Sequence, residues 1–311
     1  MEKKEKIEEF EEFIEKSVKE LKEIWEENEE KIKKQPLGEI FFFISSLPLP
    51  EISPFLLEKT SNKFLKEFDW KKFEKKEYLA SYLLGLFISA FLKKIIEDYV
   101  LLQKEKGIKE EDIKPIEVHL KVKEVPIIFN ELGFQNPKKL HLIIEGDCTG
   151  RNGYKMQGGK VIIKGSCGYE TGCEMHDGEV IVEGNCAYQT GRKMKNGKII
   201  VKGDCGNFTG QKMQGGEIII ERNCEDWTGD EMRDGSIIIK GNCGDYTGVH
   251  MQGGELNIKG EVKSFDKSAF SPDNKGTIII RKGTEIWRDG NWTKEGKEMW
   301  ERGEIPIKQV C

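Results

Sequence analysis

The sequence predicts a mainly β protein: a right-handed parallel β-helix of six to seven 19-residue rungs, with an α-helical N-terminal domain. Three observations predict this fold. A 19-residue repeat runs through the second half without an insertion, each repeat holds one short β-branched segment, and glycines recur at fixed places in each unit. A fixed period of this length is the signature of a repeat architecture in which each unit packs on its neighbours.

The repeat is clearest in two columns of sulfur-containing residues. Cysteine recurs every 19 residues at Cys148, Cys167, Cys186, Cys205, Cys224 and Cys243. Methionine keeps the same spacing at Met156, Met175, Met194, Met213, Met232 and Met251. Glycine columns that begin at Gly153 and Gly159 run beside them. We therefore expect each unit to place these residues at equivalent positions of one rung.

Each unit contains a strand between sharp turns, as in GKVIIKG and GSIIIKG. One strand per unit excludes a propeller blade, which needs four strands in about 40 residues, and the glycine density excludes a helical solenoid. A coil with one unit per turn, stacked at about 4.8 Å, lets each strand bond to the next. Parallel connections favour the right-handed form. Residues 276–283, GTIIIRKG, predict a seventh, imperfect rung after an insertion.

The rest of the chain is expected to surround this coil. Residues 1–112 are predicted to be helical, with an amphipathic helix at about 2–34 and a small bundle formed by helices at about 56–74 and 76–104. The apolar seam of the first helix fits either a bundle docked on the coil or an arm for dimerisation or partner docking. Four segments follow from this: 1–112 helical domain, 113–139 capping strand and connector with the strand at 116–122, 140–285 β-helix, and 286–311 C-terminal cap or tail.

The middle residue of each strand predicts an outward apolar surface. Side chains alternate along a strand, and this column ends in the polar Asn257 while its neighbours stay apolar. The outward column is therefore expected to be Ile162, Ile181, Ile200, Ile219 and Ile238. Such a surface is larger than a soluble monomer normally exposes, so we expect a protein interface there, with the N-terminal helices, a second copy or another subunit.

The repeat resembles a known family. The segments TGQKMQGGEIII and TGVHMQGGELNIKG, joined by GNCGDYTG, are similar to the GXGXG repeat domain found in one of the subunits of formylmethanofuran dehydrogenase and in the large subunit of glutamate synthase. The similarity covers about residues 140–262. It implies a right-handed β-helix that packs against catalytic modules and has no catalytic residues of its own. The cysteine in each unit departs from that family, in which the position is often alanine.

The cysteine column has one structural and two chemical interpretations. Free cysteine often fills tight buried corners as a small apolar residue, and we expect that role. A straight column of thiols cannot surround zinc, but it offers two sulfurs in line to a soft ion such as Cu(I). Disulfides between rungs are disfavoured because the Cβ separation exceeds the usual ~3.8 Å. No cofactor is expected.

Composition narrows the function classes. The chain has 50 Lys and Arg against 55 Asp and Glu, so no basic footprint for nucleic acid exists. Its longest apolar stretch, residues 78–92, is too short for a membrane span. Abundant Lys and Glu suggest a thermophile, and the lack of a signal sequence with eight cysteines suggests the cytoplasm.

A catalytic site is not expected. His119, His141, His176 and His250 fall in different rungs or columns, and no nucleophile, phosphate-loop or dinucleotide motif occurs. The aromatic residues Tyr169, Tyr188, Phe208, Trp227 and Tyr246 shift by one place between units, which argues against a stacked ladder. We expect a structural or adaptor subunit, for example of an oxidoreductase complex. The alternative is a homo-oligomer that binds a small ligand or a soft metal ion.

Overall fold

The computed structural model describes residues 2–34, 46–47, 56–68, 77–124 and 131–307. Three helices come first: α1 (Glu2–Lys34), α2 (Leu57–Glu67) and α3 (Glu77–Glu105). Eleven strands follow: β1 (Ile116–Leu120), β2 (Leu140–Ile144), β3 (Gln157–Ile163), β4 (Asp177–Val182), β5 (Lys198–Val201), β6 (Gln214–Ile220), β7 (Asp234–Ile239), β8 (Glu255–Ile258), β9 (Thr277–Ile280), β10 (Thr284–Arg288) and β11 (Asn291–Trp292). Helix α4 (Lys294–Glu301) comes last.

The strands form one sheet in chain order, and each pair from β1 to β9 is parallel. The register moves by one repeat per strand, so that Ile162 pairs with Ile181 and Ile181 with Ile200. The result is a β-solenoid of about seven turns with rungs of about 19 residues, as the repeat predicts. Strand β9 supplies the expected additional rung, reached after the insertion that follows β8.

The solenoid interior is filled by columns of similar apolar residues. Val161 and Ile163 point inward with no exposed surface, as do the equivalent residues of the next strands. The six methionines of the repeat are also fully buried, so this column points into the solenoid as well. Because each column repeats in every rung, apolar side chains of similar size stack on each other along the axis.

The turn before each methionine requires glycine. Gly210 has φ +71, and a Cβ there would lie 2.2 Å from Cδ1 of Ile237 in the next rung. Left-handed backbone is costly for other residues, and here the space is also occupied. The glycine column that begins at Gly153 therefore lets each rung approach the next one closely.

The N-terminal helices pack on each other through the predicted seam of α1. Val18, Leu21 and Trp25 are almost fully buried, and the Trp25 ring meets Phe87 of α3 edge-on at 5.4 Å. The seam is thus used within the chain, as in a bundle; the side chains of Ile7 and Phe10 lie outside the described residues. The predicted helix at 56–74 was too long, since α2 ends at Glu67 and Phe68 is extended. No helix among the described residues is long and apolar enough to cross a bilayer.

Helix α2 closes the N-terminal edge of the sheet. Asn62 Nδ2 donates to the carbonyl of His119 in β1 at 2.6 Å, and its Oδ1 accepts from Lys121 N at 2.8 Å. Glu58 accepts the His119 N–H at 3.1 Å. The side chains therefore take the place of a further strand, which protects an edge that would otherwise recruit other chains.

The C-terminal end is closed differently. Strand β10 turns back antiparallel to β9, β11 pairs antiparallel to β10, and α4 packs on β10. Trp287 is buried and donates from Nε1 to the carbonyl of Asn274 at 3.1 Å. Its ring meets Trp292 edge-on, and Trp292 stacks on Trp300 at 5.7 Å. The predicted tryptophan-rich C-terminal segment thus lies against the last rungs.

Candidate interaction surface

The outward face of the sheet carries a continuous column of isoleucines. We call Ile162, Ile181, Ile200, Ile219 and Ile238 the isoleucine stripe. Each is half-buried, while the residues before and after it in the strand are fully buried. Within the sheet the stripe residues pair with the isoleucines directly above and below, except that Ile238 pairs with Asn257 on one side. The stripe is therefore an apolar ridge on the outside of the solenoid that its own neighbours cover only in part.

Two columns of charged side chains border the stripe. Two residues before it lie Lys160, Glu179, Lys198 and Glu217, which we call the first rim. Two residues after it lie Lys164, Glu183, Lys202, Glu221 and Lys240, the second rim. Charges alternate along both: Lys160 and Glu179 pair at 2.6 Å, and so do Lys198 and Glu217. On the second rim Lys240 and Glu221 also pair at 2.6 Å. The face is thus apolar in the middle with paired charges at its edges, as protein interfaces are.

The cysteine column lies inside the solenoid, on a second line of contact between rungs. Isolated parallel bridges join Cys167 to Cys186 and Cys186 to Cys205. The thiols are buried and free, and Cys167 Sγ accepts hydrogen bonds from Thr171 Oγ1 at 2.9 Å and Asn152 Nδ2 at 3.3 Å. Burial raises the pKa of Cys167 to about 12. A thiol of this kind is protonated and unreactive at neutral pH, as expected of a small packing residue.

The described residues contain no cluster of three His, Cys, Asp or Glu side chains arranged to hold a metal ion. Cys173 lies in the same turn as Cys167, but its pKa is raised to about 12 by burial, with the nearby Glu170 carboxylate adding to the effect. A neutral thiol is a poor metal ligand at neutral pH. The geometry thus favours the packing role of the column.

The sequence was also compared with models of known protein families. A model described as the GXGXG motif matches residues 103–278, more than half of the chain. The chain belongs to the GXGXG motif family. Its solenoid is therefore the kind of domain found in glutamate synthase and in formylmethanofuran dehydrogenase, and such domains occur in multi-subunit oxidoreductase complexes. No curated protein is similar enough to the chain to count as a match.

The GXGXG domain carries aromatic stacks on its turns, and here the sequence-based prediction was wrong. Trp227 stacks on Phe208 at 5.8 Å and on Tyr246 at 4.4 Å, while Tyr169 and Tyr188 form a second stack at 5.6 Å. The shift between units splits the column in two and does not abolish stacking. In the later rungs polar residues occupy the position that Tyr169 and Tyr188 hold in the earlier ones. They bond to each other between rungs, since the Asp226 N–H donates to Asn207 Oδ1 at 3.0 Å.

The four histidines of the GXGXG chain lie at three different places. His119 Nε2 lies 3.0 Å from Glu117 Oε1, and this contact raises the pKa of His119. His176 contacts Lys195 at 3.0 Å, and burial lowers its pKa. His250 Nδ1 lies 3.9 Å from Asp230, on a turn far from the strand face. His141 lies on β2 opposite Glu117 of β1, and burial lowers its pKa. His119 and His141 therefore both lie beside Glu117, while His176 and His250 lie on other turns.

The GXGXG chain also buries a charged residue, Glu131, that the sequence did not predict to be buried. Glu131 is fully buried between α3 and the first turn, where Ser89 Oγ donates to its carbonyl at 2.9 Å. Burial raises the pKa of its carboxyl group to about 8, although Arg151 Nε lies 3.1 Å away and opposes the shift. Arg151 also contacts Glu170 at 3.3 Å. This buried cluster ties the helices to the solenoid.

A sequence signal for Glu131 exists. Residues 131–136, ELGFQN, align with residues 151–156, RNGYKM, at a spacing of 20. Glu131 and Arg151 both have left-handed backbone, with φ 59 and φ 55, and so do Gly133 and Gly153. The segment is therefore a degenerate turn of the solenoid, one residue out of register with the repeat.

Proposed function

We propose that this chain is a non-catalytic structural subunit of a multi-protein complex, and that the isoleucine stripe is where another protein packs. The stripe carries the proposal: apolar side chains are only partly buried in five successive strands, although the same strands bury their inward residues completely. Apolar surface of this extent on a soluble protein usually marks an interaction site. The paired charges on both rims add the polar border that such sites have.

The family supports the type of complex. GXGXG domains occur in assemblies with oxidoreductase subunits, so we propose a complex related to formylmethanofuran dehydrogenase or glutamate synthase. The scattered histidine positions and the buried, free thiols fit a subunit that holds other proteins and leaves the chemistry to them. Free buried cysteines are those of a reducing compartment, and we place the complex in the cytoplasm.

The experiment is native purification of a tagged chain from its source organism, followed by mass measurement and identification of bound proteins. We expect stoichiometric companions, and we expect Ile200→Asn to reduce the mass of the assembly. The same column accommodates Asn257, so this substitution is compatible with the fold. Lys212→Glu, on the turn side of the solenoid, is the matched control and should leave the mass unchanged. A chain that purifies alone, with the same mass in all three forms, would refute the proposal.

A second function is the homo-oligomer with a small ligand or soft metal. The described part of the chain gives it less support, because the thiols lie inside the solenoid and Cys167 is already engaged by hydrogen bonds from Thr171 and Asn152. The mass measurement also bears on this alternative. Only copies of the chain, with bound copper or a bound small molecule, would favour it.

A further inference from the structure

The outward face has an internal symmetry that the stripe alone does not show. Strand β2 adds Ile143 to the column next to Ile162, although Ile143 is already buried within the chain, and polar His119 and Asn257 stand at the two ends. Six isoleucines thus lie between two polar residues. The midpoint of the apolar column falls between Ile181 and Ile200, that is, between β4 and β5.

Strands at equal distances on either side of this midpoint carry rim charges of opposite sign. Both rims are positive on β3, negative on β4, positive on β5 and negative on β6, so the two rims are in phase. A half-turn about an axis between β4 and β5 that runs parallel to the strands exchanges β3 with β6 and β4 with β5. Each rim charge is then brought opposite a charge of the other sign. The face is complementary to itself.

We propose that a second copy of this chain packs on the isoleucine stripe, sheet against sheet, about a two-fold axis that runs parallel to the strands between β4 and β5. This inference rests on the proposed function, since it names the occupant of the same surface. Strand directions then agree in the two sheets, and the solenoid axes run in opposite directions. A two-fold interface of this kind uses the same patch on both copies.

The arrangement pairs both rims without a like-charge contact over the four central strands. Lys160 faces Glu217 of the second copy, and Glu179 faces Lys198. On the second rim Lys164 faces Glu221, and Glu183 faces Lys202. In the apolar column Ile181 faces Ile200, and Ile162 faces Ile219. Lys240 faces Glu145, which lies on the β2 rung and is bonded to Leu120 in the backbone.

The competing two-fold arrangement fails on charge. If the axis ran along the solenoid, the first rim of one copy would face the second rim of the other at the same height. Lys160 would then meet Lys164, and Glu179 would meet Glu183. Like charges across an interface suppress wrong pairings. The in-phase rims therefore select the antiparallel arrangement.

Pairing within one chain explains only part of the pattern. Contacts such as Lys160 with Glu179 favour alternation along each rim, but they do not require the two rims to be in phase.

Six strands at ~4.8 Å and five residues at ~3.3 Å give a face of about 29 by 16 Å. About 900 Å² is then covered on both copies together, the low end for specific contacts, so we expect a dimer that dissociates on dilution.

The test is a charge exchange between Lys160 and Glu217, followed by sedimentation equilibrium of the purified full chain. These two residues lie three rungs apart in one chain, about 14 Å, which is too far for a direct contact. Lys160→Glu or Glu217→Lys alone should raise the dimer dissociation constant about tenfold or more, since each places like charges at two symmetric sites. The double variant should restore the dimer.

The double variant separates the two explanations of the charge pattern. Within one chain the exchange breaks the pair of Lys160 with Glu179 and also that of Lys198 with Glu217, so effects inside the chain would add and not cancel. Lys212→Glu, which breaks the pair with Glu231 on another side, is the control and should dimerise as the unmodified chain does. Circular dichroism verifies the fold of each variant.

Three results would overturn the inference: an unmodified chain that stays monomeric up to the highest soluble concentration, single variants that dimerise normally, or a double variant without recovery. None of them by itself refutes the proposed function. If the chain is monomeric and Ile200→Asn still removes a companion protein from the native assembly, the stripe is an interface with that companion. If Ile200→Asn instead halves the assembly and keeps the companion ratio, the second copy is confirmed as the occupant.

Discussion

Ile218 and Ile219 are neighbours in strand β6, yet they belong to two different surfaces. Ile218 points into the solenoid and has no exposed area, while Ile219 points outward and is half-buried. The repeat places isoleucine or valine in both columns. The inward column is explained by the fold itself, because the interior must be filled in each rung. The outward column is not needed for that purpose, so a contact with another protein is the better explanation of its residue type.

The distinction between the inward and the outward column would be wrong if a polar substitution destabilised the protein equally in both. We expect Ile218→Asn to destabilise the monomer by about 4 kcal/mol or more, since it removes buried apolar volume and buries an amide without partners. Ile219→Asn should change the same quantity by less than about 1 kcal/mol, in line with surface substitutions. Thermal unfolding at low protein concentration measures both. Equal losses would mean that the outward column also belongs to the core.

The buried carboxyl group of Glu131 should make stability depend on pH in a way that an exposed carboxyl group does not. Burial holds the pKa of Glu131 at about 8, above its ordinary value of 4.5. The unfolded chain therefore releases this proton at a lower pH than the folded chain, and stability falls as pH rises from about 4.5 to about 8 and is constant above that. Glu131→Gln should raise stability at pH 9 by a few kcal/mol, since one pKa unit is worth about 1.4 kcal/mol, and should have little effect at pH 4.

Urea unfolding at the two pH values measures this difference. The exposed Glu117 supplies a control, because Glu117→Gln should give no comparable rise at pH 9. A Glu131→Gln variant that is less stable than the original at pH 9 would show that Arg151 holds the carboxylate in its charged form.

The end of the sheet offers a further contrast with its middle. Asn62→Ala removes the two hydrogen bonds that Asn62 makes to the backbone of His119 and Lys121, and we expect a loss of about 1–3 kcal/mol because these backbone groups lose their partners. Hydrogen exchange should show faster exchange of the Lys121 amide with no change in β5. Lys59→Ala, an exposed change in the same helix, is the control. Unchanged exchange at Lys121 would mean that Asn62 does not close this edge.

The smallest effect is expected in the cysteine column. Cys205→Ala should cost only about 1 kcal/mol, because a small apolar side chain is replaced by a slightly smaller one. A chelator should leave the melting temperature of the unmodified chain unchanged. A clear fall on chelation that is absent in Cys205→Ala would establish a metal in the column, and the packing interpretation would then be wrong.

The solenoid could be predicted residue by residue because its signal is repeated in each rung. Ile162, Cys167 and Met175 recur at one spacing, and a single period fixes which side chains share a column. Glu131 was missed because its turn is spaced by 20 residues and carries neither the cysteine nor the methionine. The stacking of Trp227 on Tyr246 was missed because the one-residue shift between Tyr188 and Phe208 was taken to end all stacking. A second aromatic column begins after the shift and continues through three rungs.

Less could be predicted for the helices. A seam of apolar residues shows which face of a helix is buried, but it does not show which element covers that face. The seam with Leu21 and Trp25 is consistent with a bundle and with a docking arm, and only tertiary packing decides between them. The role of Asn62 in closing the sheet depends on a contact between residues 57 positions apart, for which a single sequence holds no signal.

Thiol labelling of the stripe in the native assembly tests the central claim most directly. Ile200→Cys in a Cys311→Ser background places one outward thiol in a chain whose other described cysteines are buried. Lys212→Cys provides a matched thiol on the turn side. If the stripe is an interface, the Ile200→Cys thiol reacts in the dilute isolated chain but is protected in the assembly, while the Lys212→Cys thiol reacts in both. Equal labelling of the two thiols in the intact assembly would contradict the account.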